Sequence, residues 1–276
     1  MTMTGNSRQV ERAGGAIAYE VLDLAAAWES PAPTVLFHHG LGACSACWDG
    51  WTPALIGRYR LVRYDMRGHG ASPVPPRFEW TLDSIIADVQ AVADAAGAER
   101  FHIVGESTGG TVALAVAARC PERVLSVTVS NGAHRGGSIR NLEPWRRIIN
   151  QEGMAGWSEY MMGQRFFAEG LTEAMERWYR TQQASADPVA ILGVAAMLAG
   201  VDLRPELGRV TCPVLLLHPD SSPFIPVETM AELKRALPDA RLQVFAHARH
   251  GLPFSHAAEC AASVAEFVDR ISGEPD

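Results

Sequence analysis

Nowhere in the 276 residues is there an uncharged apolar run of about 18 side chains, the length that spans a bilayer, so no transmembrane helix is expected. The opening stretch, MTMTGNSRQVERAGG, also lacks the apolar centre of a secretory leader, and a cytoplasmic location is expected. Cysteine is scarce. Five residues, an odd count, do not make a secreted disulfide framework. Cys44 and Cys47 stand as C-x-x-C, but a metal site would need two further paired ligands and a redox site a thioredoxin-like setting. They read as small buried side chains. Positive charge is in short supply too: 24 Lys and Arg face 31 Asp and Glu, a net charge of -7, with no basic run. Neither nucleic acid nor an anionic membrane surface is therefore an expected partner. Oligomeric state is left open, a homo-oligomer included. Internal repeats and low-complexity linkers are absent. What remains, 47% hydrophobic and 20% charged residues, is ordinary globular composition at a length suited to one large α/β domain or two small ones.

Short β-branched runs alternate with helical patterns. Strands are expected over 33–38, 59–64, 101–104, 124–130, 214–217 and 242–245. Between Thr81 and Ala96, apolar residues at Leu82, Ile85, Ile86, Val89, Val92 and Ala93 recur at helical spacing. Further helices are expected over 111–119, 228–236 and 257–271. Such alternation implies a mostly parallel sheet covered on both faces. Residues 135–207 break the rhythm and read as helices over 142–151, 154–167, 172–183 and 188–199. The expected organisation is thus a core of 1–134 and 208–276 with 135–207 inserted as a helical cap.

Gly105-Glu106-Ser107-Thr108-Gly109-Gly110 follows a strand and precedes an Ala-rich helix, the context in which G-x-S-x-G exposes a nucleophilic serine. The turn must be tight enough to strain the serine backbone, and the flanking glycines remove Cβ clashes. His38-His39-Gly40-Leu41-Gly42, also after a strand, could supply a backbone N–H to a developing oxyanion. The expected donors are the amides of Leu41 and Thr108. Neither His38 nor His39 is expected to be a base; both precede the loop and are expected to hold it. His250, in Ala248-Arg249-His250-Gly251 after the last strand, fits a general base in the chain order Ser, acid, His.

Taken with Tyr64-Asp65-Met66-Arg67-Gly68-His69-Gly70-Ala71-Ser72 and Trp48, these motifs resemble the α/β-hydrolase family over about Thr34 to Ile271. The resemblance implies an α/β fold whose mostly parallel central sheet is flanked by helices. It also implies that the Tyr64–Ser72 stretch is a structural loop. The acid departs from the family pattern H-G-x-x-D-P-x-x-P. Here the segment is His218-Pro219-Asp220-Ser221-Ser222-Pro223-Phe224-Ile225-Pro226, with Ser222 in the acid's slot and Asp220 two residues early. Asn131 occupies the alternative acid position. Asp220 is the only carboxylate in either loop and is the expected acid, with a Ser–His dyad or polar support from Ser222 or Asn131 as alternatives.

The expected activity is hydrolysis of a small or medium carboxylic ester or lactone through an acyl-enzyme on Ser107, with no metal and no organic cofactor. The same apparatus also suits C–C bond hydrolysis of a ring-cleavage product, enol-lactone hydrolysis and perhydrolysis. A ligand-binding protein with little turnover is the reading from a different class. Arg135, Trp145, Trp157 and Met161 are the expected pocket residues. Arg135 would read a substrate carboxylate if its charge were not spent on surface acids.

Overall fold

The computed structural model describes residues 7–12, 15–26, 28, 31–136 and 142–273. Parts of the polar opening stretch, and the glycine loop after Gly136, lie outside the described residues. In chain order the elements begin with β1 (Arg8–Arg12), β2 (Gly15–Leu22), β3 (Thr34–His38), α1 (Thr52–Leu55), β4 (Arg60–Tyr64), α2 (Leu82–Ala95), β5 (Phe101–Glu106), α3 (Thr108–Arg119) and β6 (Val124–Ser130). They continue with α4 (Glu143–Arg165), α5 (Glu173–Ser185), α6 (Pro188–Ala199), β7 (Val214–Pro219), α7 (Val227–Ala236), β8 (Ala240–Phe245), α8 (Leu252–Ser255) and α9 (Ala257–Ser272).

The strands form one sheet in the order β1-β2-β4-β3-β5-β6-β7-β8. The β1–β2 and β2–β4 pairs are antiparallel and every other pair is parallel. Central strands β3, β5 and β7 are buried along their whole length, which is why they read as continuous apolar runs. Their side chains still alternate between faces. Leu36 joins the core under α2 and α3, while Val35 and Phe37 join the core under Trp48, Trp51 and α9. At the start of α2 the hydroxyl of Thr81 accepts from the Ser84 amide at 3.1 Å, and the Ser84 hydroxyl accepts from the Thr81 amide at 3.2 Å. The β1–β2 hairpin was not among the expected strands.

Helices α4, α5 and α6 lie between β6 and β7. The two helices expected over 142–151 and 154–167 are one continuous segment with a break at Gly153, where φ is 68° and ψ is -168°. Among the described residues no helix is long and apolar enough to cross a membrane. Both members of the C-x-x-C are buried and free, and burial pushes the Cys44 thiol up to about 12.

Candidate active site

The site gathers at the carboxyl ends of the parallel strands. His38 at the end of β3 pairs in register with Gly105 near the end of β5, so the loops that follow these two strands are neighbours. Ser107 sits in the turn between β5 and α3 with φ 52° and ψ -111°, a left-handed geometry that a residue with a Cβ adopts only under strain. Its amide donates to Ser130 O at 2.7 Å and its carbonyl accepts from the Thr111 amide at 3.1 Å. Glycine is obligatory on both flanks. A Cβ on Gly105 would lie 2.1 Å from Gly109 O, and one on Gly109 would lie 2.1 Å from His38 O.

Ser107 Oγ lies 2.9 Å from His250 Nε2. The imidazole is 3% exposed, and the Phe224 ring stands edge-on to it with centroids 4.8 Å apart. Asn131, itself at φ 57°, donates from its side chain to His250 O at 2.6 Å. On the far side, His250 Nδ1 lies 3.2 Å from Ser222 Oγ. Burial, the Arg165 cation and His218 together hold the imidazole well below its usual pKa. A carboxylate beside Nδ1 would push the other way.

Asp220 requires a correction. Its carboxylate accepts from the amides of His247 at 2.8 Å and Ala248 at 3.2 Å, which ties down the turn after β8. Those two N–H groups hold the carboxylate at that turn, and the hydroxyl of Ser222 takes the place at Nδ1.

Leu41 and Thr108 both line the cleft beside Ser107 and His250. Thr108 opens α3, so its amide has no intrahelical acceptor. The Leu41 loop is held by imidazoles. His39 Nε2 accepts from the Met66 amide at 2.9 Å, which leaves Nδ1–H to donate to Gly40 O at 2.8 Å. His69 Nε2 accepts from the Gly42 amide at 3.0 Å, and its Nδ1–H donates to Arg67 O at 3.0 Å. Burial keeps both rings neutral, with the His39 pKa at about 4 and that of His69 at about 3. Asp65 accepts from the amides of Ser45 and Ala71, and Arg67 forks onto Asp88 at 2.6 and 3.0 Å, so the Tyr64–Ser72 loop is a scaffold.

Of the expected pocket residues, Trp145, Met161 and Arg135 line the cleft. Trp157 does not. It stands one layer back, fully buried, with its ring against Gly42 and edge-on to Trp145. The Arg135 guanidinium is engaged by Glu232 at 2.9 Å, and Arg146 pairs with Glu143 at 3.2 Å. Leu198, Phe224, Ile225 and Thr111 also form the cleft wall and were not among the expected pocket residues. A buried pair, Arg165 with Glu106, whose guanidinium and carboxylate come within 3.8 Å, was not expected either. Glu106 carried a signal, since a charge beside Ser107 on a fully buried strand demands a counterion. Among the described residues no cluster of three or more His, Cys, Asp or Glu could hold a metal.

Comparison with known proteins places the fold. One relative, from Caulobacter sp. (strain K31) and named "Putative carbamate hydrolase RutD", is 30% identical over 252 residues, which is 87% of this chain and 91% of that protein. Another, the pimeloyl-[acyl-carrier protein] methyl ester esterase of Nitrosomonas europaea, is 30% identical over 243 residues, 80% of this chain and 90% of its own. Among solved structures, the enol-lactonase of Burkholderia xenovorans LB400 superposes with a TM-score of 0.87 at 25% identity, covering 95% of this chain and 99% of that one. The profile of the family described as alpha/beta hydrolase fold matches residues 33–188, more than half of the sequence, and the chain belongs to that family.

Proposed function

We propose that the protein is a serine hydrolase that cleaves a small or medium carboxylic ester or lactone, with Ser107 as nucleophile and His250 as general base. The observation that carries this is the 2.9 Å contact between Ser107 Oγ and His250 Nε2 at a strained turn facing an apolar cleft. As Ser107 Oγ attacks the substrate carbonyl, His250 Nε2 takes its proton. The tetrahedral oxyanion is held by the amides of Leu41 and Thr108. Nδ1–H meanwhile donates to Ser222 Oγ, which fixes the tautomer. The imidazolium then protonates the leaving alkoxide, which departs. Water, deprotonated by the same nitrogen, attacks the acyl-enzyme, and Ser107 leaves with the proton restored.

The cleft supports a compact, largely apolar acyl group. It holds about 580 Å³ of atom-free space including its open mouth. Leu41, Trp145, Met161, Leu198, Phe224 and Ile225 supply most of the wall. We take the helices over 135–207 as a cap on this cleft, and the five cysteines, all free, as those of a cytoplasmic protein. The methyl ester esterase and the enol-lactonase, by their names, act on ester linkages, and that supports esters and lactones as the first substrates to try.

A second reading is favoured by one observation, the hydroxyl in place of a carboxylate at His250 Nδ1. It makes the protein a ligand-binding module with little turnover. An alkyl phosphonate probe separates the two. Wild type is expected to be labelled at Ser107 by mass spectrometry and to hydrolyse p-nitrophenyl acetate. Ser107→Ala should keep its far-ultraviolet circular dichroism and lose turnover on the order of 10⁶-fold. Absence of labelling would favour the binder. A series from acetyl to octanoyl esters, with matched lactones, then reads the length that the cleft accepts.

A further inference from the structure

Arg165 ends α4 with its guanidinium turned inward, 2% exposed. Nη2 donates to the carbonyl of Leu41, and Nη1 donates to the Tyr179 hydroxyl at 3.1 Å and lies 3.8 Å from Glu106 Oε1. Its own carbonyl accepts from the amide of Gly251, next to His250, at 2.9 Å. Glu106, immediately before the nucleophile, is equally buried, and its Oε2 accepts from the Gly40 amide at 3.3 Å.

These bonds bracket the oxyanion donor. Glu106 holds the N–H of the residue before Leu41, and Arg165 holds the carbonyl of Leu41 itself. Peptide units are rigid planes, so fixing the planes on either side removes most of the freedom of the unit between them. That middle unit, joining Gly40 to Leu41, carries the N–H aimed at the oxyanion. Its own carbonyl accepts from His39 Nδ1–H at 2.8 Å and from the Ala43 amide at 3.1 Å, and the two flanking bonds complete that hold in a loop with glycine on both sides of Leu41.

We infer that the Glu106–Arg165 pair is a positioning device for the oxyanion hole, locking the Leu41 amide in its catalytic orientation and tying that lock to the inserted helices. The inference rests on the serine-hydrolase reading above. A purely stabilising role fits less well. A buried ion pair is a poor source of stability, and this one is incompletely satisfied, since Glu106 Oε1 and Arg165 Nε have no hydrogen-bond partner among the described residues.

Two variants test the pair: Arg165→Lys, which keeps the charge but loses the fork, and the charge-neutral double variant Glu106→Gln/Arg165→Met. Rates on p-nitrophenyl acetate are normalised to active sites titrated with the phosphonate. An oxyanion hole acts only on the transition state, so kcat should fall about 10- to 100-fold with KM within about threefold, less than the loss of a whole donor. Affinity for a trifluoromethyl ketone, which forms a tetrahedral adduct on Ser107, should weaken in step with kcat/KM. Affinity for a non-hydrolysable amide isostere should not move. The double variant should stay folded with a modestly lowered thermal midpoint, because no buried charge is left unpaired while the Leu41 carbonyl and the Tyr179 hydroxyl lose the guanidinium. If Arg165→Lys does not fold, the double variant decides alone. Per-site kcat within twofold of wild type, a loss shared by the amide isostere, or an unfolded double variant would each overturn the inference. A wild type that resists the phosphonate overturns the hydrolase reading and takes this inference with it.

Discussion

Three N–H groups converge on one hydroxyl oxygen at Ser222: Nδ1 of His250 at 3.2 Å and the amides of Phe224 and Ile225 at 3.4 and 3.2 Å. A hydroxyl has two lone pairs and a proton of its own to place, whereas a carboxylate would satisfy all three donors. The loop thus offers a carboxylate-shaped position with a neutral group in it. Ser222→Asp should raise kcat on the order of 10- to 100-fold, by stabilising the imidazolium. The pH dependence gives an independent check. The catalytic base must be neutral, and the wild-type His250 pKa is depressed by burial, Arg165 and His218, so kcat/KM should stay level as pH falls through 6.5. In Ser222→Asp the new negative charge raises that pKa, and the acidic limb should move to higher pH. Coincident profiles would remove Ser222 from the catalytic group. Asp220→Asn, by contrast, should leave kcat within about tenfold, where the loss of a triad acid costs about 10⁴-fold.

Among the elements, α4 shows how one backbone choice sets the cleft. Gly153 divides the helix at φ 68° and ψ -168°, a region open essentially only to glycine. The break lets Trp145 on one half and Met161 and Arg165 on the other face the same cleft. A Cβ on Gly153 would touch nothing within 4 Å, so Gly153→Ala isolates the backbone cost, about 1–3 kcal/mol of destabilisation by urea titration. Gly163, in the same helix with equally open space, provides the control: Gly163→Ala should be neutral or stabilise by about 0.5–1 kcal/mol. The Met154–Phe167 and Leu142–Gln151 patterns were legible because apolar residues repeat within each half; a merged segment was not, because the repeat loses phase at the glycine. Burial explains the other successes and misses. Strands β3 and β5 announce themselves as apolar runs because both faces are covered. Strand β1 is RQVER, mostly exposed at the sheet edge, and nothing in its polarity distinguishes it from a loop. Ser107 and His250 were legible because each belongs to a local turn with its own glycine chemistry. Ser222 was legible as the residue in the acid's slot, though only as an alternative to Asp220, because residue type favoured the carboxylate; the partner of Glu106 was not, because Arg165 arrives from a distant helix whose final register no local pattern encodes.

For the molecule as a whole, its core histidines make acid the weak flank. Burial lowers the pKa values of His38 and His39 to about 4 and of His69 to about 3. In the unfolded chain the same groups titrate near 6.5. The unfolded state therefore binds more protons below that pH, and the stability these groups contribute is fully present above it. It drains away as pH falls towards the folded values, by on the order of 5 kcal/mol between pH 6.5 and 5. Urea midpoints measured across that interval should fall steadily, and the slope should shrink in His69→Asn. A flat midpoint would mean that the three rings are already accessible to protons in the native state. Because these rings also brace the Leu41 loop, acid should abolish activity along with structure rather than before it.

The buried contact between Arg165 and Glu106 sets a condition on exchanging parts between relatives. The inserted helices supply Trp145, Met161 and Leu198 to the cleft wall, and a graft of foreign helices onto the sheet is one route to a new cleft. Any donor segment lacking an arginine at the position of Arg165 would strand the Glu106 carboxylate in the interior, at a penalty of about 3–5 kcal/mol. Specificity in this protein therefore travels as a matched set: the helices and the residue preceding the nucleophile have to be transplanted together.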